Sequence, residues 1–238
     1  MEKLGPIRAV IQDDRHHNPN LKADEDITFI LFHGFGADAY DLKSLTDILT
    51  PSRPTRWVFP QGILEVPVGP GWTGRAWWPI DMIEWERAMM EGRPRELSDW
   101  SPPELPSVRT KVFNMIEALK TPWSQIILGG FSQGAMLATD IFLSAPSTPK
   151  GLVLFSGALI NKADWKQKFL QRAGELSGTP FFQSHGQSDN ILSYKGAQQL
   201  ESFLCQNGLK GKLHNFAGGH EIPMDMVMKA NEYLKNLG

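Results

Sequence analysis

The sequence predicts an α/β fold, a mainly parallel sheet with helices on both faces, and three observations carry that reading. Short apolar runs rich in Ile, Val, Leu and Phe recur at residues 27–32, 56–59, 125–128, 151–155, 180–184 and 212–216. Stretches with helical spacing of apolar residues separate most of them, the alternation that builds parallel sheets from βαβ units. Third, QIILGGFSQGA at 125–135 drives an apolar strand into Gly130-Phe131-Ser132-Gln133-Gly134 and on into a helix. At 238 residues the chain has a size that α/β folds commonly organise as one domain, so 1–238 is read as a single unit.

Taken in order, ITFILF at 27–32 is a near-continuous apolar run, as a doubly covered strand requires, and it ends in His33-Gly34-Phe35-Gly36. A helix is expected over 39–49, and a second strand at 56–59. Residues 62–105 then break the alternation: the stretch carries Pro-Gly-type breaks, the pair Trp77-Trp78 and further tryptophans at 72, 85 and 100. A long loop inside a compact domain is usually functional, and this one follows a strand whose end should lie near Ser132. It is read as a wall or partial lid of a pocket, with Trp77 and Trp78 as candidate substrate-binding residues. The alternative is that these tryptophans pack the insertion onto the domain.

A helix is expected at 106–119, and after the strand at 125–128 another over 134–143, where Ala135, Met136, Leu137, Ala138, Ile141 and Phe142 supply an apolar face. Asp140 on that helix reads as an ordinary surface group. Strands at 151–155 and 180–184 bracket a helical segment that holds Asp164 and Trp165. Helices at 194–206 and 223–237 flank the last strand. Leu200, Phe203 and Leu204 in the former, and Met226, Met228, Ala230 and Leu234 in the latter, are placed to face the sheet.

Composition narrows the function classes. A net charge of −2 with no long basic run leaves no electrostatic footprint for nucleic acid, so chemistry on a neutral or apolar small molecule is expected. The start, MEKLGPIRAVIQDDRHHNPN, lacks the apolar core of a signal peptide, and no stretch approaches the roughly 18 apolar residues of a membrane span. The expectation is a cytoplasmic protein without stable membrane insertion. Its lone cysteine, Cys205, excludes an internal disulfide framework and a cysteine-rich metal site. No metal is expected. His16 and His17 sit in a polar stretch without metal-site spacing and read as solvated histidines. The sequence leaves the oligomeric state, a homodimer included, open.

Gly-x-Ser-x-Gly alone is a weak signal, expected by chance about one time in ten in a chain of this length. Its setting between an apolar strand and an apolar-faced helix makes it a nucleophile elbow, with Ser132 as the nucleophile. A serine hydroxyl needs a general base, and the base needs a carboxylate to fix its tautomer. With an elbow serine the chain order is Ser, acid, His. Asp189 fits the acid, in a loop directly after the strand at 180–184; Asp164 falls in a helical segment and Asp225 follows the histidine. His220 fits the base, in the glycine-flexed loop NFAGGHEIP after the last strand. His214 lies in that strand as a packed or edge residue, and His185 precedes the acid. The oxyanion donors are expected at the backbone N–H groups of Gln133, at the start of the post-elbow helix, and of Phe35. His33 is read as structural.

Seven segments then match in order across nearly the whole chain: LFHGFGAD (31–38), FPQG (59–62), WWPID (77–81), GGFSQGA (129–135), LFSGAL (154–159), SHGQSDNIL (184–192) and GGHEIP (218–223). The sequence resembles the phospholipase/carboxylesterase family of α/β-hydrolases, which includes the acyl-protein thioesterases. That resemblance implies an α/β-hydrolase fold, a Ser132, Asp189, His220 triad with donors at Phe35 and Gln133, and hydrolysis of carboxylic esters or thioesters without metal or organic cofactor. Protein-deacylating members usually carry leucine where this chain has Phe35, and a shorter segment after the Pro-Gln motif. The longer insertion, with EWERAMMEGRPRELSDW, looks like a bacterial esterase subgroup. The expected substrate is a small-molecule ester of small to medium acyl chain; the alternatives are a thioester or lysophospholipid, and a non-catalytic binding protein on the same scaffold.

Overall fold

The computed structural model describes residues 1–14, 26–91 and 96–237; His16 and His17 lie outside the described residues. Among the described residues, ten strands and six α-helices follow in chain order: β1 (Glu2–Leu4), β2 (Ile7–Asp13), β3 (Ile27–Phe32), β4 (Thr55–Pro60), β5 (Leu64–Gly69), β6 (Trp72–Ala76), α1 (Met82–Met90), α2 (Leu105–Ala118), β7 (Ile126–Phe131), α3 (Gln133–Ser144), β8 (Gly151–Phe155), α4 (Lys162–Leu176), β9 (Pro180–Gly186), α5 (Tyr194–Gln206), β10 (Lys210–Phe216) and α6 (Met224–Lys235). Eight strands form one sheet in the order β1-β2-β4-β3-β7-β8-β9-β10, and β5 with β6 forms a separate hairpin. From β4 to β10 every neighbour is parallel; β1 and β2 add an antiparallel edge. The order reverses between β3 and β7, so the loops leaving their carboxyl ends part there and open a crevice.

Alternation along the central strands divides the core in two. Ile30 and Phe32 of β3, Ile126 and Leu128 of β7, and Leu152 and Leu154 of β8 face one side, where α2, α3, α4 and α5 lie. Phe29, Leu31, Ile127, Val153 and Phe155 point the other way, against Leu42, Leu45 and α6. Both faces are covered, which is why these strands read as continuous apolar runs.

Several elements differ from the sequence expectation. The segment 39–49 forms only a 3-10 turn at Lys43–Asp47. Local bonds compete with an α-helix there: Asp38 Oδ1 accepts the Tyr40 N–H at 2.8 Å and the Thr46 hydroxyl donates to the Lys43 carbonyl at 2.9 Å. Its apolar residues still pack inward. Met228 on α6 does not face the sheet but is exposed, whereas Met226, Ala230 and Leu234, four residues apart, are buried. Two positions on from Met226 the helix has turned about 200°, so Met228 lies on the opposite side.

Asp140 is not a surface group. It is fully buried on α3, where the Arg109 guanidinium donates to both oxygens at 2.7 and 2.9 Å, with Trp165 Nε1 at 3.0 Å and Lys168 Nζ at 3.1 Å completing its shell. Asp164 joins the same network through Lys168 at 2.7 Å. These charges clamp α2, α3 and α4 together, and a buried carboxylate is tolerated because every oxygen is paired.

Candidate active site

The turn after β7 puts Ser132 at φ 55°, ψ −119°, a conformation that costs a non-glycine residue free energy and is held by its surroundings. The Ser132 N–H donates to the Phe155 carbonyl of β8 at 2.9 Å, and its own carbonyl accepts the Ala135 and Met136 N–H groups of α3 at 3.0 and 3.2 Å. Both flanking glycines are steric necessities. A Cβ on Gly130 would come within 2.7 Å of the Phe32 oxygen, and one on Gly134 would collide with the same carbonyl. Strand β3 thus runs against the elbow, which brings the loop after β3 to Ser132: a Cβ on Gly34 would sit 3.4 Å from Ser132 Cβ.

Asp189 and His220 arrive from the loops after β9 and β10, neighbouring parallel strands. His220 Nδ1 donates to Asp189 Oδ2 at 2.7 Å. The acid's side chain is fully buried while that of His220 keeps 16% of its surface. The other acid oxygen, Oδ1, accepts the N–H groups of Ile191 at 2.8 Å and Leu192 at 2.9 Å. Burial would push the carboxyl's pKa up, but hydrogen bonds from His185 and His220, the His220 charge and the Leu192 N–H together hold it well below the usual carboxylate range. Phe131, the residue before Ser132, packs its ring on the His220 imidazole with centroids 4.7 Å apart. All three loops therefore meet at the carboxyl ends of the strands.

The two amides proposed as donors are free to serve a ligand. Gln133 is the first residue of α3, where an N–H has no intrahelical acceptor. Neither it nor the Phe35 N–H has a protein acceptor among the described residues, while the neighbouring Gly36 and Ala37 amides are both engaged. The β5–β6 hairpin holds this loop: Gly36 donates to the Arg75 carbonyl and Arg75 to the Ala37 carbonyl, each at 2.8 Å. Gly74 allows that approach, since a Cβ there would strike the Gly36 carbonyl.

His33 is buried beneath the same loop. Its Nδ1 lies 2.7 Å from the Gly34 oxygen and its Nε2 accepts the Gly62 N–H at 2.9 Å, so the proton sits on Nδ1. Burial pulls its pKa down to about 4, against the opposing pull of the Gly34 carbonyl, and the ring is neutral at physiological pH.

A model of the Phospholipase/Carboxylesterase family matches residues 18–237. The chain belongs to that family. It is 28% identical to "Acyl-protein thioesterase 1" of Eremothecium gossypii over 87% of this chain and 86% of that protein. It is 27% identical to a protein named as a probable carboxylesterase from Oryza sativa subsp. japonica, over 88% of this chain and 77% of that one. Among solved structures, the crystal structure of esterase PE8 superposes with a TM-score of 0.72 at 22% identity, covering 98% of this chain and 99% of the other. The Bacillus cereus carboxylesterase gives 0.68 at 19% identity, covering 98% and 95%. This phospholipase/carboxylesterase family member is a hydrolase with the α/β-hydrolase fold.

In this hydrolase Trp77 and Trp78 form no open pocket wall. Both are fully buried in the core, Trp78 edge-on to Trp100 at 6.3 Å. The reason lies in their backbone, which the Gln133 side chain holds against the elbow. His214 stacks on Phe182 at 5.0 Å in edge strand β10, as its sequence position suggests. Sequence order set His185 aside, yet its Nε2 donates to the Leu192 carbonyl at 2.7 Å and lies 3.1 Å from Asp189 Oδ2. The signal that could have found it is the four-residue spacing to Asp189 across a strand end, which folds the two onto each other.

Proposed function

We propose that this chain is a serine carboxylesterase acting on esters of small to medium acyl chain through an acyl-enzyme. The observation that carries this reading is the buried Asp189 bonded to a partly exposed His220, whose ring lies against the residue preceding Ser132. His220 Nε2 takes the Ser132 proton as Oγ attacks the acyl carbonyl, and the Phe35 and Gln133 amides receive the tetrahedral oxyanion. The imidazolium, stabilised by Asp189, protonates the leaving alkoxide. Water activated by His220 then attacks the acyl-enzyme by the reverse sequence and releases the acid.

Relatives named as a probable carboxylesterase and as an acyl-protein thioesterase support an ester and a thioester substrate equally. The machinery is the same for both leaving groups, so a matched oxygen ester and thioester of one acyl chain decide between them. A kcat/KM higher for the oxygen ester across acetyl to decanoyl chains is expected. Labelling with a fluorophosphonate tests the nucleophile: folded wild-type protein should give an adduct on Ser132 and Ser132→Ala none. Labelling elsewhere, or full turnover by Ser132→Ala, would remove the serine mechanism; folded wild-type protein that neither labels nor turns over any ester would revive the reading of a binding protein.

A further inference from the structure

The Trp77-Trp78 segment is bonded to both of the loops that supply the oxyanion donors. Gln133 is buried, and its carboxamide is spent on that segment: Oε1 accepts the Trp77 N–H at 2.9 Å and Nε2 donates to the Trp78 carbonyl at 2.8 Å. A backbone N–H can only donate and a carbonyl only accept, so the amide has one orientation. The Trp77 indole then donates from Nε1 to the His33 carbonyl at 2.9 Å. His33 in turn donates from Nδ1 to the Gly34 oxygen at 2.7 Å and anchors its far side on the Gly62 N–H at 2.9 Å.

The bond to the Gly34 oxygen acts directly on a donor. The Gly34 carbonyl and the Phe35 N–H belong to one peptide unit, and in a planar trans peptide they point in opposite directions. Drawing the Gly34 oxygen toward the His33 ring therefore turns the Phe35 N–H away from it. The next amide along, Gly36, is already fixed on Arg75, and the Gly34 oxygen also takes the Ala37 N–H at 3.4 Å, so the shorter His33 bond sets the rotation of this peptide together with that turn.

We propose that the Gln133 side chain, the Trp77 indole and the His33 ring form a positioning relay that ties the Gln133 and Phe35 amides into one oxyanion hole of fixed geometry. The Trp-rich insertion then serves catalysis from within the core, through hydrogen bonds, without touching substrate. This inference rests on the reading of those two amides as oxyanion donors.

Three variants test it. Trp77→Phe deletes the indole N–H and keeps an aromatic filling; His33→Phe deletes the ring donor; His33→Asn keeps an N–H near the Nδ1 position while remaining uncharged. Each is measured for kcat and KM on one ester, for inhibition by a trifluoromethyl ketone, which forms a tetrahedral oxyanion on the serine, and for melting temperature. Removing an oxyanion donor outright costs about 10²–10³-fold in kcat, so a misaimed one should cost about tenfold. Trp77→Phe and His33→Phe are expected to lose kcat with KM unchanged and to weaken the ketone by the same factor, and His33→Asn to recover most of both. A purely structural role would lower the melting temperature while active-site-titrated kcat and ketone affinity stay at wild-type values, and that result overturns the relay. Should His33→Phe not fold, Trp77→Phe decides by the same criteria. Ser132→Ala run alongside separates the two levels: wild-type turnover there sinks the serine mechanism itself, whereas a silent Ser132→Ala beside unchanged kcat and ketone affinity in Trp77→Phe sinks the relay alone.

Discussion

His220 Nδ1 lies 2.7 Å from Asp189 Oδ2, and the two residues come from loops that leave adjacent parallel strands. The carboxylate accepts two backbone amides on Oδ1 and the His220 imidazole on Oδ2, with His185 Nε2 3.1 Å from that second oxygen, so its position is over-determined while the His220 ring remains partly exposed. A buried, fully bonded acid holding an accessible imidazole is the arrangement a general base requires.

Asp189→Asn should therefore lose about 10⁴-fold in kcat, because an amide nitrogen facing Nδ1 cannot accept its proton and favours the wrong tautomer. Asp164→Asn should keep the wild-type rate, since that carboxylate is spent on Lys168 and Asn161. Steady-state kinetics of the two variants check this; the reverse ranking would transfer the acid role to Asp164.

Trp78→Ala should destabilise the protein by about 3–5 kcal/mol, the usual cost of deleting a large buried aromatic. Acetyl and decanoyl esters should then suffer alike. A pocket wall would behave differently, because each methylene it buries contributes about 0.8 kcal/mol and an acetyl group has almost none to bury. A change in chain-length preference at an unaltered melting temperature would restore Trp78 as a wall.

Glycine substitutions should split by location. Gly134→Ala drives a methyl into the Phe32 carbonyl and should abolish the elbow, lowering the yield of folded protein and its fluorophosphonate labelling. Gly174→Ala, on α4 with nothing within 4 Å of its Cβ position, should raise stability by about 0.5–1 kcal/mol. Thermal denaturation of both variants reads the contrast directly.

His33 gives a pH dependence with a definite sign. Its pKa falls from 6.5 in the unfolded chain to about 4 in the folded one, so between those values the unfolded state binds the extra proton. Stability therefore rises with pH through that window, and acidification from 7 to 4 should cost about 3 kcal/mol from this group. Denaturant titrations should show wild type losing that much more than His33→Asn, which has no proton to take up. Parallel pH profiles for the two would show that His33 contributes nothing in this range.

Much of the fold was legible because its signals are local. The six core strands, the elbow and the loops carrying Asp189 and His220 are each written in fewer than about a dozen adjacent residues, where apolar runs, glycine spacing and chain order suffice. The antiparallel strands β1 and β2 were not, since β1 is held by pairing with β2 and β2 by pairing with β4, which leaves little trace in their own pattern. The 3-10 turn at Lys43–Asp47 was hidden similarly: its apolar spacing is helical, and side-chain bonds decide against the helix.

By itself, then, the sequence determined the α/β class, the family and the candidate nucleophile, acid and base. Tertiary structure alone decided what the remaining polar residues do. Gln133 meets Trp77 across 56 positions, His33 meets Gly62 across 29, and Asp140 meets Arg109 across 31. No local periodicity encodes such pairs. They form because a polar group carried into the core by its element must find a partner there, and which partner is within reach depends on how the layers pack.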